Sequence, residues 1–281
     1  MRRFALAFAL LGSSLLACEP RVEPASQQAP TPAESQPVAP APVEPTPDPT
    51  PVEPKPLDLV EGEVEGIHYA EAITGGAERD ASLPMIVAIH GLGDSPENFA
   101  MLFAGFDRPA RVILPRGLEP HEGGWSWFAF RARDPDVDAL AKSIGEAADE
   151  LAPAIAALAK QRPTTGKPII TGFSQGGMLT TMLAVEHGEL LDHAISIGGW
   201  LPPPRWPKAK PAHAPTIVEL HGDIDKAVAF GPTREAIEHL KSLGWPAELH
   251  GYPNMGHAIP PVMREEIETL LRSYIDPPPQ P

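Results

Sequence analysis

The chain has 281 residues, a formal net charge of −15, 37 prolines and a single cysteine. Its length suits one large domain or two small ones and is ample for a buried core, while so many prolines predict an unfolded stretch. The acidic balance repels phosphate and excludes nucleic acid as a partner, and one cysteine excludes both an intrachain disulfide and a zinc cluster built from thiolates.

Arg2 and Arg3 open the chain, followed by an apolar run from Phe4 to Leu16 and then Cys18. This is the layout of an export signal over residues 1–17, too short for an ordinary membrane-spanning helix. Leu15-Leu16-Ala17-Cys18 resembles a bacterial lipobox, which implies that Cys18 is acylated and becomes the mature N-terminus. The plainer alternative is cleavage near Ala17 and release of a soluble exported product. Acylation predicts a membrane partner, because each buried methylene contributes about 0.8 kcal/mol and more than one chain anchors stably. Glu19 is not the aspartate associated with inner-membrane retention. The expected location is therefore the bacterial cell envelope, at the outer membrane or its periplasmic face.

Residues 18–56 read as a tether. From Pro20 to Pro56 the segment is rich in Pro, Ala, Glu and Gln and has almost no large apolar side chain. It cannot bury enough surface to fold, and proline stiffens it towards extended polyproline II. At about 3.1 Å per residue it spans on the order of 100 Å.

From residue 57 to 276 the pattern is that of one folded domain, with a short disordered tail at 277–281. Val64–Tyr69 predicts the start of an antiparallel edge. Buried strands are expected at Met85–His90, Val112–Leu114, Pro168–Phe173, Ala194–Ile197 and Thr216–His221, with a weaker candidate at Glu248–Tyr252. Helical patterns run over Val137–Lys160, Gly176–His187, Thr233–Leu243 and Val262–Tyr274. Strands alternating with helices imply an α/β fold with a mostly parallel central sheet and helices on both faces. Ligand sites in such sheets lie beyond the C-terminal ends of the strands.

Gly172-Phe173-Ser174-Gln175-Gly176 sits between a predicted strand and a predicted helix. It fits the G-x-S-x-G elbow in its required context, which makes Ser174 a candidate nucleophile. The following helix start offers backbone N–H groups and a positive dipole end to an oxyanion. Serine needs a base. Among the downstream histidines, His257 in Asn254-Met255-Gly256-His257 follows a strand and can swing over the serine. His221 reads as structural, and His187 and His239 as solvated helix residues. The orienting acid comes from Gly222-Asp223-Ile224-Asp225, with Asp225 the choice and Asp223 bracing the loop; the reversed assignment is the alternative.

His90-Gly91-Leu92-Gly93-Asp94 follows the first buried strand and supplies a second oxyanion donor, the Leu92 amide, to pair with that of Gln175. His90 is expected to brace this turn. Trp125, Trp127 and Trp200 occupy glycine-bearing loops and either line an acyl pocket or cap the core.

Together, His90-Gly91-Leu92-Gly93-Asp94, Trp127-Phe128, Gly172-Phe173-Ser174-Gln175-Gly176-Gly177, Trp200-Leu201-Pro202, His221-Gly222-Asp223-Ile224-Asp225 and Gly256-His257 resemble the phospholipase/carboxylesterase family of α/β-hydrolases, which includes the acyl-protein thioesterases. The resemblance spans about Leu83 to Tyr274. It implies the α/β-hydrolase fold and a triad on Ser174, Asp225 and His257. It also implies no metal or other cofactor, and cleavage of carboxylic esters, thioesters or lysophospholipids through an acyl-enzyme. The competing readings are another exported hydrolase (polyester depolymerase, feruloyl esterase or peptidase-like enzyme) and a non-catalytic envelope-binding lipoprotein.

Overall fold

A computed structural model describes residues 56–276. The predicted export signal, Cys18, the tether (but for Pro56) and the tail lie outside the described residues. The first two strands, β1 (Val60–Val64) and β2 (Ile67–Ile73), form a hairpin. Its turn is made by Glu65 (φ 49°) and Gly66 (φ 78°). Positive φ at both turn positions matches the twist of a two-residue hairpin. The antiparallel edge expected to start at Val64–Tyr69 is present, with that segment forming the hairpin turn and its flanks.

The remaining strands of the main sheet are β3 (Met85–Ile89), β4 (Arg111–Pro115), β7 (Ile169–Phe173), β8 (His193–Ile197), β9 (Thr216–Gly222) and β10 (Ala247–Tyr252). A separate small hairpin pairs β5 (Glu119–His121) with β6 (Gly124–Ser126). The main sheet has eight strands in the order β1-β2-β4-β3-β7-β8-β9-β10. From β4 to β10 all neighbours are parallel; β2 pairs antiparallel with both β1 and β4, so it alone runs against the other strands. The expected strands all form, shifted by a residue or two at their ends.

The helices are α1 (Pro96–Phe99), α2 (Val137–Gln161), α3 (Gln175–Glu186), α4 (Phe230–Ser242) and α5 (Pro261–Ile275). Side chains alternate across β3. Met85, Val87 and Ile89 face one core with Leu140, Ile144, Leu179 and Ile237 of α2, α3 and α4. Ile86 and Ala88 face a second core with Phe103, Met263, Ile267 and Leu271. Both faces are thus covered, which is why the parallel strands read as continuous apolar runs. No helix among the described residues is long and apolar enough to cross a membrane.

The N-terminal end of the sheet is locked by charge. Glu71 on β2 is buried and meets the fully buried Arg111. Arg162 Nε donates to the other Glu71 oxygen at 3.0 Å, and Arg162 also donates to the Tyr69 hydroxyl at 2.8 Å. Arg79 lies 3.4 Å from the same carboxylate. This network is at the end of the sheet opposite the site described next.

Candidate active site

Four loops meet beyond the C-terminal ends of β3, β7, β9 and β10. The central one is the elbow between β7 and α3. Ser174 has φ 58° and ψ −114°, a conformation that side-chain-bearing residues rarely adopt. It is held by its own N–H donating to Ile197 O at 2.9 Å, and by its carbonyl accepting from Met178 N–H at 2.9 Å. The flanking glycines are required by close approach. A Cβ on Gly172 would stand 2.4 Å from Gly176 O, and one on Gly176 would stand 2.0 Å from Ile89 O. The sharp turn lifts the Ser174 hydroxyl above the sheet, at the start of α3.

His257 follows β10 and faces it. Its Nε2 lies 2.8 Å from Ser174 Oγ, and its Nδ1 lies 2.6 Å from Asp225 Oδ2. With Nδ1–H donating to the carboxylate, Nε2 is left to accept the hydroxyl proton. Asp225 is fixed in turn, because its Oδ1 accepts from Ala227 N–H at 2.7 Å and from Val228 N–H at 3.0 Å. Asp223 is exposed and accepts from Asn254 N–H at 2.7 Å, tying the β9 loop to the β10 loop. The geometry thus brings Asp225, not Asp223, to the histidine. Other downstream histidines lie elsewhere: His187 meets Asp149 at 2.9 Å and His239 stacks on Trp206.

His221 is wholly buried behind Asp225. Its Nδ1 is 3.0 Å from Glu219 Oε1 and its Nε2 is 3.0 Å from Val228 O, with Asp225 Oδ2 at 3.5 Å. Both ring nitrogens therefore face acceptors. Burial favours the neutral ring, but the hydrogen bond and charge of Glu219, helped by Val228 O and Asp225, outweigh it and raise the pKa. Sequence alone marks His221 only as structural. Its place behind the acid follows from Glu219 sitting two residues earlier on the same face of β9.

Leu92 lies in the loop after β3 and lines the cleft beside Ser174 and Gln175. Among the described residues, neither the Leu92 nor the Gln175 amide donates a hydrogen bond. His90 braces this loop. Gly117 N–H donates to its Nε2 at 3.0 Å, so its Nδ1–H must donate to Gly91 O at 2.7 Å. Burial pushes the His90 pKa down, in keeping with a neutral ring.

The Gln175 side chain has a second task that the sequence does not reveal. It is buried, and its Oε1 accepts from Trp127 N–H at 3.0 Å. Its Nε2 donates to Phe128 O at 2.8 Å and Phe130 O at 3.3 Å. The first residue of α3 thereby clamps the 127–130 loop to the elbow.

The cleft has a volume of about 280 Å³, and its apolar wall is formed by Phe130, Phe173, Met178 and Val228. None of the three tryptophans lines it, which corrects the pocket expectation. Trp127 is 2 % exposed in the core, and its Nε1–H donates to His90 O at 2.9 Å. Trp200 packs into the same core. Trp125 sits on β6 under the Arg116 guanidinium, 4.0 Å from the ring centre. Trp127 and Trp200 are drawn into the core, where their apolar area is removed from water, while Trp125 stays half-buried on β6.

A mostly parallel sheet flanked by helices, with Ser, Asp and His at the ends of β7, β9 and β10, defines an α/β-hydrolase. The chain belongs to the Phospholipase/Carboxylesterase family, whose model matches residues 71–275. It is accordingly a carboxylic ester hydrolase acting on small-molecule esters. It is 24 % identical over 213 residues to acyl-protein thioesterase 1 of Gibberella zeae, covering 68 % of this chain and 91 % of that protein. Among solved structures it is similar to esterase PE8, with 24 % identity, a TM-score of 0.63 and coverage of 72 % of this chain and 98 % of the other. It is also similar to Zea mays acyl-protein thioesterase 2, with 23 % identity, a TM-score of 0.57 and coverage of 74 % and 98 %. At these identities the structural likenesses speak for the fold.

Proposed function

We propose that the protein is a serine esterase that works through an acyl-enzyme on Ser174, and that it is an exported bacterial lipoprotein anchored through Cys18. The observation that carries the chemistry is the unbroken relay from Ser174 Oγ to His257 Nε2 at 2.8 Å, and from His257 Nδ1 to Asp225 Oδ2 at 2.6 Å. As Ser174 Oγ attacks the acyl carbonyl, His257 Nε2 takes its proton and Asp225 stabilises the imidazolium. The carbonyl oxygen gains charge and is held by the Leu92 and Gln175 N–H groups, each worth about 3 kcal/mol of transition-state stabilisation. The bond to the leaving alkoxide or thiolate breaks, and His257 returns the proton to it. Water activated by His257 then releases the acid and restores the Ser174 hydroxyl.

The anchoring rests on the basic start, the apolar run and Leu15-Leu16-Ala17-Cys18, with the proline-rich tether beyond. An exported enzyme meets esters and lipids of the envelope, not acylated proteins of the cytosol.

Replacing Ser174 by Ala should lower kcat/KM for p-nitrophenyl butyrate by about 10⁴-fold or more, with the circular dichroism spectrum unchanged. A fluorophosphonate should label Ser174 in the parent and leave the variant unmodified by mass. Hydrolysis by Ser174→Ala at the parental rate would overturn the mechanism.

A further inference from the structure

The cleft carries charge of the opposite sign to the molecule. The chain as a whole has a formal charge of −15. Yet Arg131 and Arg133 both line the cleft with Ser174, and Lys226 and Arg133 line an adjoining hollow on the other side of His257. All three cations are exposed, and among the described residues none of them is in an ion pair.

The neighbouring carboxylates keep their charge but are hydrogen-bonded to backbone amides, not to these cations. Asp94 lines the cleft, but its Oδ1 accepts from Ser95 N–H at 2.8 Å. Asp134 accepts from Arg131 N–H at 2.7 Å, and Asp136 caps α2 through Ala139 N–H at 2.9 Å. Asp225 belongs to His257. The arginines are also placed, not merely tethered. Their loop begins at Phe130, whose carbonyl is held by Gln175 Nε2, and Phe130 and Ala132 turn inwards against the core. Alternate residues of one short loop thus put apolar surface into the cleft wall and two guanidinium groups at its mouth.

Two unpaired guanidiniums beside a nucleophile are donors without acceptors, and a carboxylate or phosphate fits them bidentately. On an acidic body, a cationic mouth also concentrates anions at that one place. We propose that the preferred substrates are esters with an anionic group, carboxylate or phosphate, a few atoms from the scissile bond, recognised by Arg131 and Arg133 with Lys226 alongside. This rests on the assignment of Ser174 as nucleophile and names the substrate class of that same site.

The test compares phenyl butyrate with 3-carboxyphenyl butyrate and 3-phosphonooxyphenyl butyrate on the parent and on the double variant Arg131→Gln/Arg133→Gln. In the parent at low salt, kcat/KM should favour at least one anionic ester over the neutral one by roughly tenfold or more. The carboxylate and phosphate arms show which anion is taken. The ratio of anionic to neutral kcat/KM should collapse in the double variant and shrink in 0.5 M sodium chloride, where the Debye length is only a few ångströms. It should be kept only in part in Arg131→Lys/Arg133→Lys, which retains the charge but loses the bidentate fork. A parent that prefers the neutral ester, or a ratio unmoved by the Gln substitutions, overturns the anion assignment and leaves the hydrolytic one standing. A parent that hydrolyses none of the three, and is not labelled by fluorophosphonate, overturns both.

Discussion

Ser174 is held where a residue with a side chain is uncomfortable. Its φ of 58° with ψ of −114° lies in a region essentially reserved for glycine. The strain, about 1–3 kcal/mol for such a conformation, is sustained by the amide bond to Ile197 O and by the glycines on either side. Position 174 therefore carries a stability cost that its proposed chemistry imposes. Ser174→Gly should relieve the strain, partly offset by the freer unfolded chain, for a net gain of about 1 kcal/mol. In a domain of this size the thermal midpoint should rise by about 2–4 °C while esterase activity is lost. A calorimetric midpoint equal to or below that of the parent would show that the turn is not strained.

At the scale of elements, the molecule separates stability from chemistry. The loops at the C-terminal ends of the strands carry the site, while the opposite end is pinned by Glu71 with Arg111, Arg162 and Arg79. Arg111 is fully buried, so removing its partner leaves an uncompensated buried charge, at a cost of about 3–5 kcal/mol. Glu71→Gln should thus lower the thermal midpoint by roughly 10 °C while kcat for p-nitrophenyl butyrate at 25 °C changes less than about twofold. An unchanged midpoint would count against the network as a lock.

The sequence shows those elements whose burial is uniform or periodic. β3 and β7 are buried on both faces and stand out as largely apolar runs bounded by glycine or polar turns, and β9 does so through Ile217, Val218 and Leu220 despite its buried Glu219 and His221. The start of α4 is obscured. It begins at Phe230, three residues before the pattern suggests, because Gly231 and Pro232 look like a break. Proline in a first turn is harmless there, since those amides have no intrahelical partner. The β5–β6 hairpin has only three residues per strand, with Pro120 in one and Gly124 in the other, and leaves no periodic trace. Ser174, Asp225 and His257 are legible because each lies in a recognisable turn that follows a strand. The Gln175 clamp, the His221–Glu219 pair behind the acid and the burial of Trp127 and Trp200 are not, since each depends on which distant backbone lies alongside.

At the scale of the whole molecule, the proposal is of an acidic hydrolase held off a membrane. If Cys18 is the acylated residue, the full chain expressed in a bacterium with a lipoprotein export pathway should incorporate labelled palmitate and partition with membranes. Cys18→Ala should abolish both and leave kcat for a soluble ester as in the parent. Membrane partitioning of Cys18→Ala equal to that of the parent would exclude the lipid as the anchor.

Gln175 joins the elbow and the 127–130 loop. Its main chain opens α3 beside Ser174, and its side chain fastens the loop that ends in Phe130, Arg131 and Arg133. The consequence concerns how the protein can change over generations or at an engineer's bench. Positions 131 and 133 are exposed at the mouth of the cleft and support no core packing, so the appetite for one substrate over another can be retuned there with little penalty. Position 175 is pleiotropic: any replacement loosens the loop and the elbow in a single step, so turnover and selectivity must move together.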